Sequence, residues 1–181
     1  MGQTLEQRGR RGVDFLRCLR AIWTDDVVDY QGEFYRVPRS RVEPKPVQRP
    51  HPPILLGGMA PAALRRAGRV AAGWISSSRA DLSRIDEYIA VVREAAERAG
   101  RDPAPLRFIC RGVVKVRTGQ RAPLVGSLDQ IRSDLDELAA AGQLTETFLD
   151  LNFDPEIGSP DADPGESMRR AHEALEALAP S

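Results

Sequence analysis

The stretch PPILLGGMAPAALRRAGR, residues 52–69, decides the fold of this chain. It begins with a short apolar run typical of a buried strand, breaks at Gly57 and Gly58, and continues into a helix whose small residues suit close packing on a sheet. Because glycines lack side chains, the main chain at such a turn can approach a ligand closely, and the N–H groups of the following helix can bind an anion. The same pattern is typical of an ordinary strand-to-helix turn, so the turn alone leaves both interpretations open.

From this stretch onward, the sequence predicts four strand–helix pairs. Strands are predicted at residues 54–56, 74–76, within 106–116 and at 147–151. The following helices are predicted near residues 63–71, 82–96, 128–141 and 165–178, the third opening with a Ser127–Gln130 capping box and ending at Gly142. This alternation predicts an α/β fold with four parallel strands and flanking helices.

The residues before residue 52 predict a different organisation. Leu16, Leu19 and Ile22 recur at helical spacing, and residues 27–37 alternate loosely, as in a short hairpin or an extended excursion. Residues 38–53 contain six prolines, which exclude a helix interior. We therefore expect a helix, a hairpin or extended segment, and a long proline-rich loop.

The composition excludes several functional classes. The 181 residues are 41% hydrophobic and 29% charged, which is ordinary for a globular protein. Lys+Arg (26) balance Asp+Glu (26), so there is no basic field that would indicate nucleic-acid binding. No apolar run reaches membrane-spanning length, and the N-terminus lacks the order of a secretory signal. We expect a cytoplasmic protein with neither a nucleic-acid nor a membrane partner.

Cysteine, histidine and lysine are scarce. Cys18 and Cys110 each stand alone, and His51 and His172 lack metal-ligand spacing, so we expect no metal site. Abundant arginine beside only two lysines indicates a GC-rich genome, and we expect an actinobacterial origin.

An ordered series of motifs carries a family resemblance. It consists of RGRRG at 8–12, AIWTDD at 21–26, YQGEFY at 30–35, EPKPVQRP at 43–50, AGW at 72–74 and GRDP at 100–103. Together these motifs resemble the luciferase-like monooxygenase family and, within it, the oxidoreductases that use the deazaflavin F420. The resemblance is strong from residue 8 to residue 74 and is mostly one of pattern beyond.

The resemblance implies a (β/α)8 barrel, in which the tryptophan–threonine helix follows the fourth strand. Residues 1–181 would then form a single partial domain, the C-terminal half of a TIM barrel without the first four βα units. In such proteins the segment after the strand that corresponds to residues 54–56 contacts the phosphate-bearing tail of the cofactor. The resemblance therefore implies F420 or FMN binding by Leu56, Gly57, Gly58 and Met59.

The end of the next strand lines the substrate or outer cofactor pocket in the same family. The resemblance implies that Trp74, Ser76 and Ser77 contact a small-molecule substrate, with burial of Trp74 in the interior as an equally favoured alternative. Asp150 and Asn152 lie at the carboxyl end of the last predicted strand, the edge where ligand groups gather in barrels.

Two hypotheses of function follow. The first is a truncated or split oxidoreductase or monooxygenase that uses a flavin or F420 for hydride transfer or oxygen activation. The second is a non-catalytic half-barrel remnant that binds a phosphorylated ligand or a partner subunit. In the family, groups that contact the cofactor ring come largely from the first four strands, so no catalytic residue is assigned.

The expected half-barrel also predicts a binding partner. Its sheet would expose two edges and an apolar inner face, which favour pairing with another chain. We expect either a homo-oligomer or a separately encoded N-terminal half.

Overall fold

Two compact units make up the chain in a computed structural model that describes residues 6–141 and 143–179. The first unit ends at Ile54 and the second begins at Leu55. Gly142, the predicted end of a helix, lies outside the described residues. None of the described helices combines the length and the apolar composition that a membrane span requires.

The first unit is a helix followed by a hairpin. Helix α1 spans Arg8–Thr24, and strands β1 (Val28–Gln31) and β2 (Arg36–Ser40) pair antiparallel. The sequence predicted either a hairpin or an extended segment here, and the chain forms the hairpin. The buried carboxylate of Asp14 on α1 accepts hydrogen bonds from the Tyr30 hydroxyl and from two main-chain N–H groups of the hairpin turn.

These hydrogen bonds hold the hairpin against α1. The Tyr30 hydroxyl and the main-chain N–H groups hold the pKa of Asp14 below its usual value. Burial, together with the bond to Asp14, raises the pKa of Tyr30 to about 12. The carboxylate is therefore charged and the phenol neutral at pH 7, as the observed donor and acceptor roles require.

The proline-rich segment starts later than predicted. Pro38 lies inside β2, which is an edge strand and so tolerates a residue without an N–H group. Residues 41–54 contain neither helix nor strand. Lys45 holds this segment to the end of α1, because its ammonium donates 2.7 Å hydrogen bonds to the carbonyls of Ile22 and Asp25.

The second unit is a parallel sheet with helices between its strands. In chain order its elements are β3 (Leu55–Gly57), α2 (Pro61–Val70), β4 (Gly73–Ile75), a 3₁₀ turn (Leu82–Arg84), α3 (Ile85–Glu97), β5 (Arg107–Val113), β6 (Lys115–Val116), β7 (Val125–Gly126), α4 (Leu128–Ala140), β8 (Glu146–Asp150) and α5 (Pro164–Leu178). The main sheet has the order β3-β4-β5-β8, all parallel, which confirms the predicted α/β fold with four parallel strands.

The helices pack on one face of this sheet. Side chains that alternate onto that face belong to the main core, whose buried members are Leu64, Ala67, Trp74, Ile85, Ile89, Val92, Ala96, Leu106, Phe108 and Cys110. Helices α2 and α3 approach so closely that a Cβ on Gly68 would lie 2.2 Å from the Val92 carbonyl oxygen. Only glycine permits this spacing.

The remaining side chains of β5 and β8 point to the opposite face. This second face carries Arg107, Ile109, Arg111 and Val113 of β5 and Glu146, Phe148 and Asp150 of β8. The register pairs Arg111 with Phe148 and Val113 with Asp150. Because neighbours in register share a face of a sheet, this face carries two arginines and two acids beside three apolar side chains, those of Ile109, Val113 and Phe148.

Candidate cofactor and substrate site

The glycine turn lies at the carboxyl end of β3. Gly57 is the last strand residue and is exposed, while Gly58 has φ +111°, a conformation that favours glycine. A Cβ on Gly58 would lie 2.9 Å from the Ala63 side chain, whereas one on Gly57 would have only ordinary contacts, the nearest at 3.6 Å. The turn therefore requires a glycine at position 58, whereas the main chain at Gly57 is exposed and has space beside it.

Helix α2 begins directly after this turn without a side-chain cap. Ala60 is the N-cap residue and forms no side-chain hydrogen bond, Pro61 has no N–H group, and the first turn contains no acidic residue. The positive end of the helix dipole is thus not neutralised by the helix itself. Because Pro61 has no N–H group and the N–H groups of Ala63 and Leu64 donate to the Ala60 carbonyl, a phosphate or another anion at this edge would depend on the helix dipole and on the main chain of the glycine turn.

Trp74 lies in the core rather than on an accessible surface. Its side chain is 0% exposed and contacts the ring of Tyr88, with 5.9 Å between ring centroids. The indole Nε1 donates a 2.9 Å hydrogen bond to the Gly58 carbonyl. Of the two roles that the sequence left open, the interior one fits this position, because strand alternation turns Trp74 toward the helices. Trp74 thus stabilises the glycine turn from the core side of the sheet.

The two serines after β4 occupy different environments. Ser76 is buried, and its hydroxyl accepts a 2.8 Å hydrogen bond from the main-chain N–H of Arg111. It therefore joins the end of β4 to the neighbouring strand β5 instead of facing a ligand. Ser77 is partly exposed, with its hydroxyl 3.6 Å from the sulfur of Met59. The structure thus brings Ser77 close to Met59; the resemblance assigned Met59 to the cofactor tail and Ser77 to the substrate or outer cofactor pocket.

A second group of polar side chains surrounds Asp150 at the end of β8. The Asp150 side chain is 0% exposed. Its Oδ2 accepts hydrogen bonds from the Ser78 hydroxyl (2.8 Å) and Arg111 Nε (2.9 Å), and its Oδ1 accepts from the Asn152 main chain (3.2 Å) and side-chain amide (2.9 Å). Four donors therefore satisfy this buried carboxylate.

The environment of Asp150 keeps it ionised. Burial alone would raise the pKa of its carboxyl, but the hydrogen bonds from Ser78, Asn152 and Arg111 outweigh burial and hold the pKa below its usual value. A carboxylate that is both charged and fully hydrogen-bonded is a poor proton acceptor. Its role in this arrangement is to fix Arg111.

The sequence indicated Asp150 and Asn152 but missed Arg111 and Ser78. Arg111 lies within a predicted strand, and nothing in its local pattern distinguishes it from the neighbouring residues. Its alignment with Asp150 depends on the β5–β8 register, which only the folded sheet supplies. The local sequence therefore offered no signal that could have found Arg111.

Comparisons with known proteins agree with this architecture. A family model described as luciferase-like monooxygenase matches residues 1–146. An uncharacterized protein of Mycobacterium tuberculosis is 40% identical over 101 residues, which cover 56% of this chain and 34% of that protein. The FMNH2-dependent dimethylsulfone monooxygenase of Pseudomonas putida is 37% identical over 95 residues, 52% of this chain and 26% of that enzyme.

An F420-dependent glucose-6-phosphate dehydrogenase of Nakamurella multipartita is 32% identical over 97 residues, 53% of this chain and 28% of that enzyme. Among solved structures, the monooxygenase RslO1 from Streptomyces bottropensis superposes with a TM-score of 0.72 at 18% identity, over 97% of this chain and 62% of that one. The solved neighbours are TIM-barrel enzymes. The matched segments span about a third or less of the curated relatives' lengths.

Proposed function

The chain belongs to the luciferase-like monooxygenase family, as its motifs predicted, and from this membership we propose that it forms the C-terminal half of an F420- or FMN-dependent oxidoreductase barrel. The relatives described above include one FMNH2-dependent and one F420-dependent enzyme, which supports both cofactors. When bound, the reduced cofactor would supply a hydride or activate oxygen.

The observation that carries the proposal is the glycine turn. Exposed backbone at Gly57, the constrained turn at Gly58 and the uncapped start of α2 lie together at the carboxyl edge of a parallel sheet. Ligands of α/β sheets and barrels bind at this edge. We assign the phosphate-bearing tail of the cofactor to this turn.

The residues of this chain would bind and orient rather than react. The main chain of Leu56, Gly57 and Gly58 would hold the phosphate, with Met59 and Ser77 beside it. Trp74 would maintain the turn through its hydrogen bond to Gly58. A small-molecule substrate would lie further along the same edge, near the Arg111 and Asp150 side chains.

Titration with oxidised F420 and with FMN tests this assignment, with fluorescence as the readout and inorganic phosphate as competitor. Gly57→Ala is the informative variant, because the fold has room for its Cβ but a closely approaching phosphate does not. We expect unchanged thermal stability and about tenfold weaker cofactor binding, the factor that about 1.4 kcal/mol gives.

Gly58→Ala serves as the comparison, because its positive φ and its 2.9 Å contact should destabilise the fold itself. Unchanged cofactor affinity in the folded Gly57→Ala protein would show that the phosphate lies elsewhere.

A second candidate function is a non-catalytic half-barrel that binds a phosphorylated ligand or a partner subunit. It is favoured by the terminal strands β3 and β8, each of which has a single neighbour among the described strands of the main sheet. We propose that a second copy, or a separately encoded N-terminal half, pairs with these edges. Cofactor binding without turnover of reduced cofactor, in a chain that light scattering finds dimeric, would favour this function over the first.

We propose that the protein acts in the cytoplasm of an actinobacterium, whichever of the two functions it has. Mycobacterial relatives support the origin. Two free, buried cysteines, Cys18 and Cys110, are in keeping with a reducing compartment.

A further inference from the structure

A cavity of about 520 Å³ lies on the helix side of the sheet, between the start of α3 and the second half of α4. The segments that lead into β7 and β8 form its other walls. Cavities that hold small-molecule ligands measure roughly 300–1,000 Å³. The lining residues fall within 82–144, so this cavity is distinct from the glycine turn at residues 57–58.

The cavity lies over the middle of the sheet rather than at its edges. Helix α3 follows β4, α4 comes between β5 and β8, and β4 and β5 are the two central strands of the main sheet. Leu82, Leu138 and Leu144 line the cavity and also pack against the main core. The pairing proposed above would extend the sheet at β3 and β8, and the cavity would stay on its outer side.

Apolar side chains form much of the cavity wall, and they include Leu82, Ile85, Pro123, Leu124, Leu138 and Leu144. The fold fixes Leu124, although its φ of +59° is rare for a leucine. Its N–H donates a 2.8 Å hydrogen bond to Asp134 Oδ2, and its side chain occupies the space that Gly112 leaves beside β5. A ligand would therefore bury its apolar part against a wall that is already ordered.

The charged groups around the cavity favour a cation. Three carboxylates, those of Asp86, Asp134 and Glu137, line it together with one guanidinium, that of Arg121. Arg121 donates from Nη1 and Nη2 to Asp134, so these two charges offset each other. In the part of the chain that the structure describes, no hydrogen bond or ion pair engages the exposed carboxylates of Asp86 and Glu137. The cavity thus has an excess of negative charge.

An anion would have to displace an acid of the protein from the donors near this cavity. The terminal nitrogens of Arg121 already bind Asp134. The main-chain N–H and the hydroxyl of Ser83 both donate to Asp81 Oδ1. The free acceptors and the occupied donors therefore point to the same sign of ligand charge.

We propose that this cavity binds a small organic cation with an apolar body. The ammonium or amidinium lies near Glu137 and Asp86, and the hydrocarbon part packs against Leu82, Leu124 and Leu138. Because both carboxylates are exposed, the cationic group keeps part of its hydration, so burial of the apolar body supplies most of the affinity and the charge supplies selectivity. The site does not depend on the cofactor function proposed above.

The probe is 2-naphthylmethylamine, which is protonated at pH 7, added to the whole chain without cofactor. Calorimetry measures its affinity, and ¹H–¹⁵N NMR of the main chain locates it. We expect shifts at Leu82, Leu124 and Leu138 and none at Gly57. The neutral analogue 2-naphthylmethanol should bind about threefold more weakly, and the anion 2-naphthoate more weakly still, because each lacks the attraction to the carboxylates.

Glu137→Gln should weaken amine binding by about threefold and leave binding of the alcohol unchanged, because it removes one charge at nearly constant shape. Glu97→Gln, at an exposed position of α3 outside the cavity, is the matched control and should change neither. Ala122→Trp places an indole at the cavity wall and should abolish binding of both compounds, whereas Ala90→Trp, on α3 outside the cavity, should not.

Thermal unfolding shows which variants are folded, and Glu137→Gln, at an exposed side chain, keeps the test valid if Ala122→Trp does not fold. Absence of amine binding, equal affinity for amine and alcohol, equal effects of the two glutamate variants, or undiminished binding to folded Ala122→Trp would each overturn the proposal. Amine binding that persists in a chain unable to bind F420 or FMN would refute the cofactor function alone.

Discussion

The indole of Trp74 donates a 2.9 Å hydrogen bond to the main-chain carbonyl of Gly58. Through this bond, a core side chain from β4 contacts the turn that follows β3. The turn combines a positive φ at Gly58 with exposed backbone at Gly57, so its shape depends on support from below. The fold thus uses its largest buried side chain to fix the backbone of the proposed phosphate site.

Replacing Trp74 tests this support. Trp74→Phe retains an aromatic ring but removes the donor, which leaves the Gly58 carbonyl without this partner and opens a small cavity. We expect a loss of about 2 kcal/mol in the free energy of unfolding, measured by urea denaturation. Trp23→Phe, at a partly exposed tryptophan, should cost clearly less. Similar losses in the two variants would contradict the supporting role of Trp74.

Asp150 predicts a specific pH dependence of stability. Its folded-state pKa lies below the ordinary value of 3.8, so its stabilising contribution is complete above that value and disappears as the pH falls through the folded-state pKa. Asp150→Asn should therefore be less stable than wild type at pH 7, with a difference that shrinks at pH values below 3.8. Thermal unfolding from pH 7 to pH 2 measures this, with Asp136→Asn at an exposed position as control. A difference that stays constant with pH would refute the interpretation.

Two glycine-to-alanine changes within helices should have opposite effects. Gly68→Ala would bring a Cβ within 2.2 Å of the Val92 carbonyl oxygen and force α2 away from α3. We expect a loss of about 2–3 kcal/mol despite the better helix propensity of alanine.

Gly12→Ala in α1 has open space around its Cβ and should gain about 0.5–1 kcal/mol. Urea denaturation of both variants checks the sign of each effect. A stable Gly68→Ala protein would mean that the two helices can separate without cost.

Local patterns predicted most of the secondary structure. The glycine pair gave the end of β3 to within one residue, and the Ser127–Gln130 capping box is present in full. Apolar spacing predicted α2, α3 and α5 because helix periodicity is a property of neighbouring residues. The short β6–β7 pair was not predicted, because two-residue strands carry no periodic signal.

The candidate site was predicted only in part. The sequence indicated the glycine turn, Ser77 and Asp150, because each lies at or directly after the carboxyl end of a predicted strand. It did not separate Ser76 from Ser77, although one is buried and the other partly exposed. Adjacent residues at a strand end point to opposite sides, and the side that faces the helices depends on how the sheet packs.

The sequence by itself determined the family, because the family follows from motifs. It also determined the order of the βα units along the chain and the position of the glycine turn, because both follow from contacts between residues that are close in the chain. Only the tertiary structure decided that Trp74 lies beneath the turn and that Asp150 holds Arg111 by one edge. Both relationships join residues on different strands, and the register between strands is set by packing of the whole sheet.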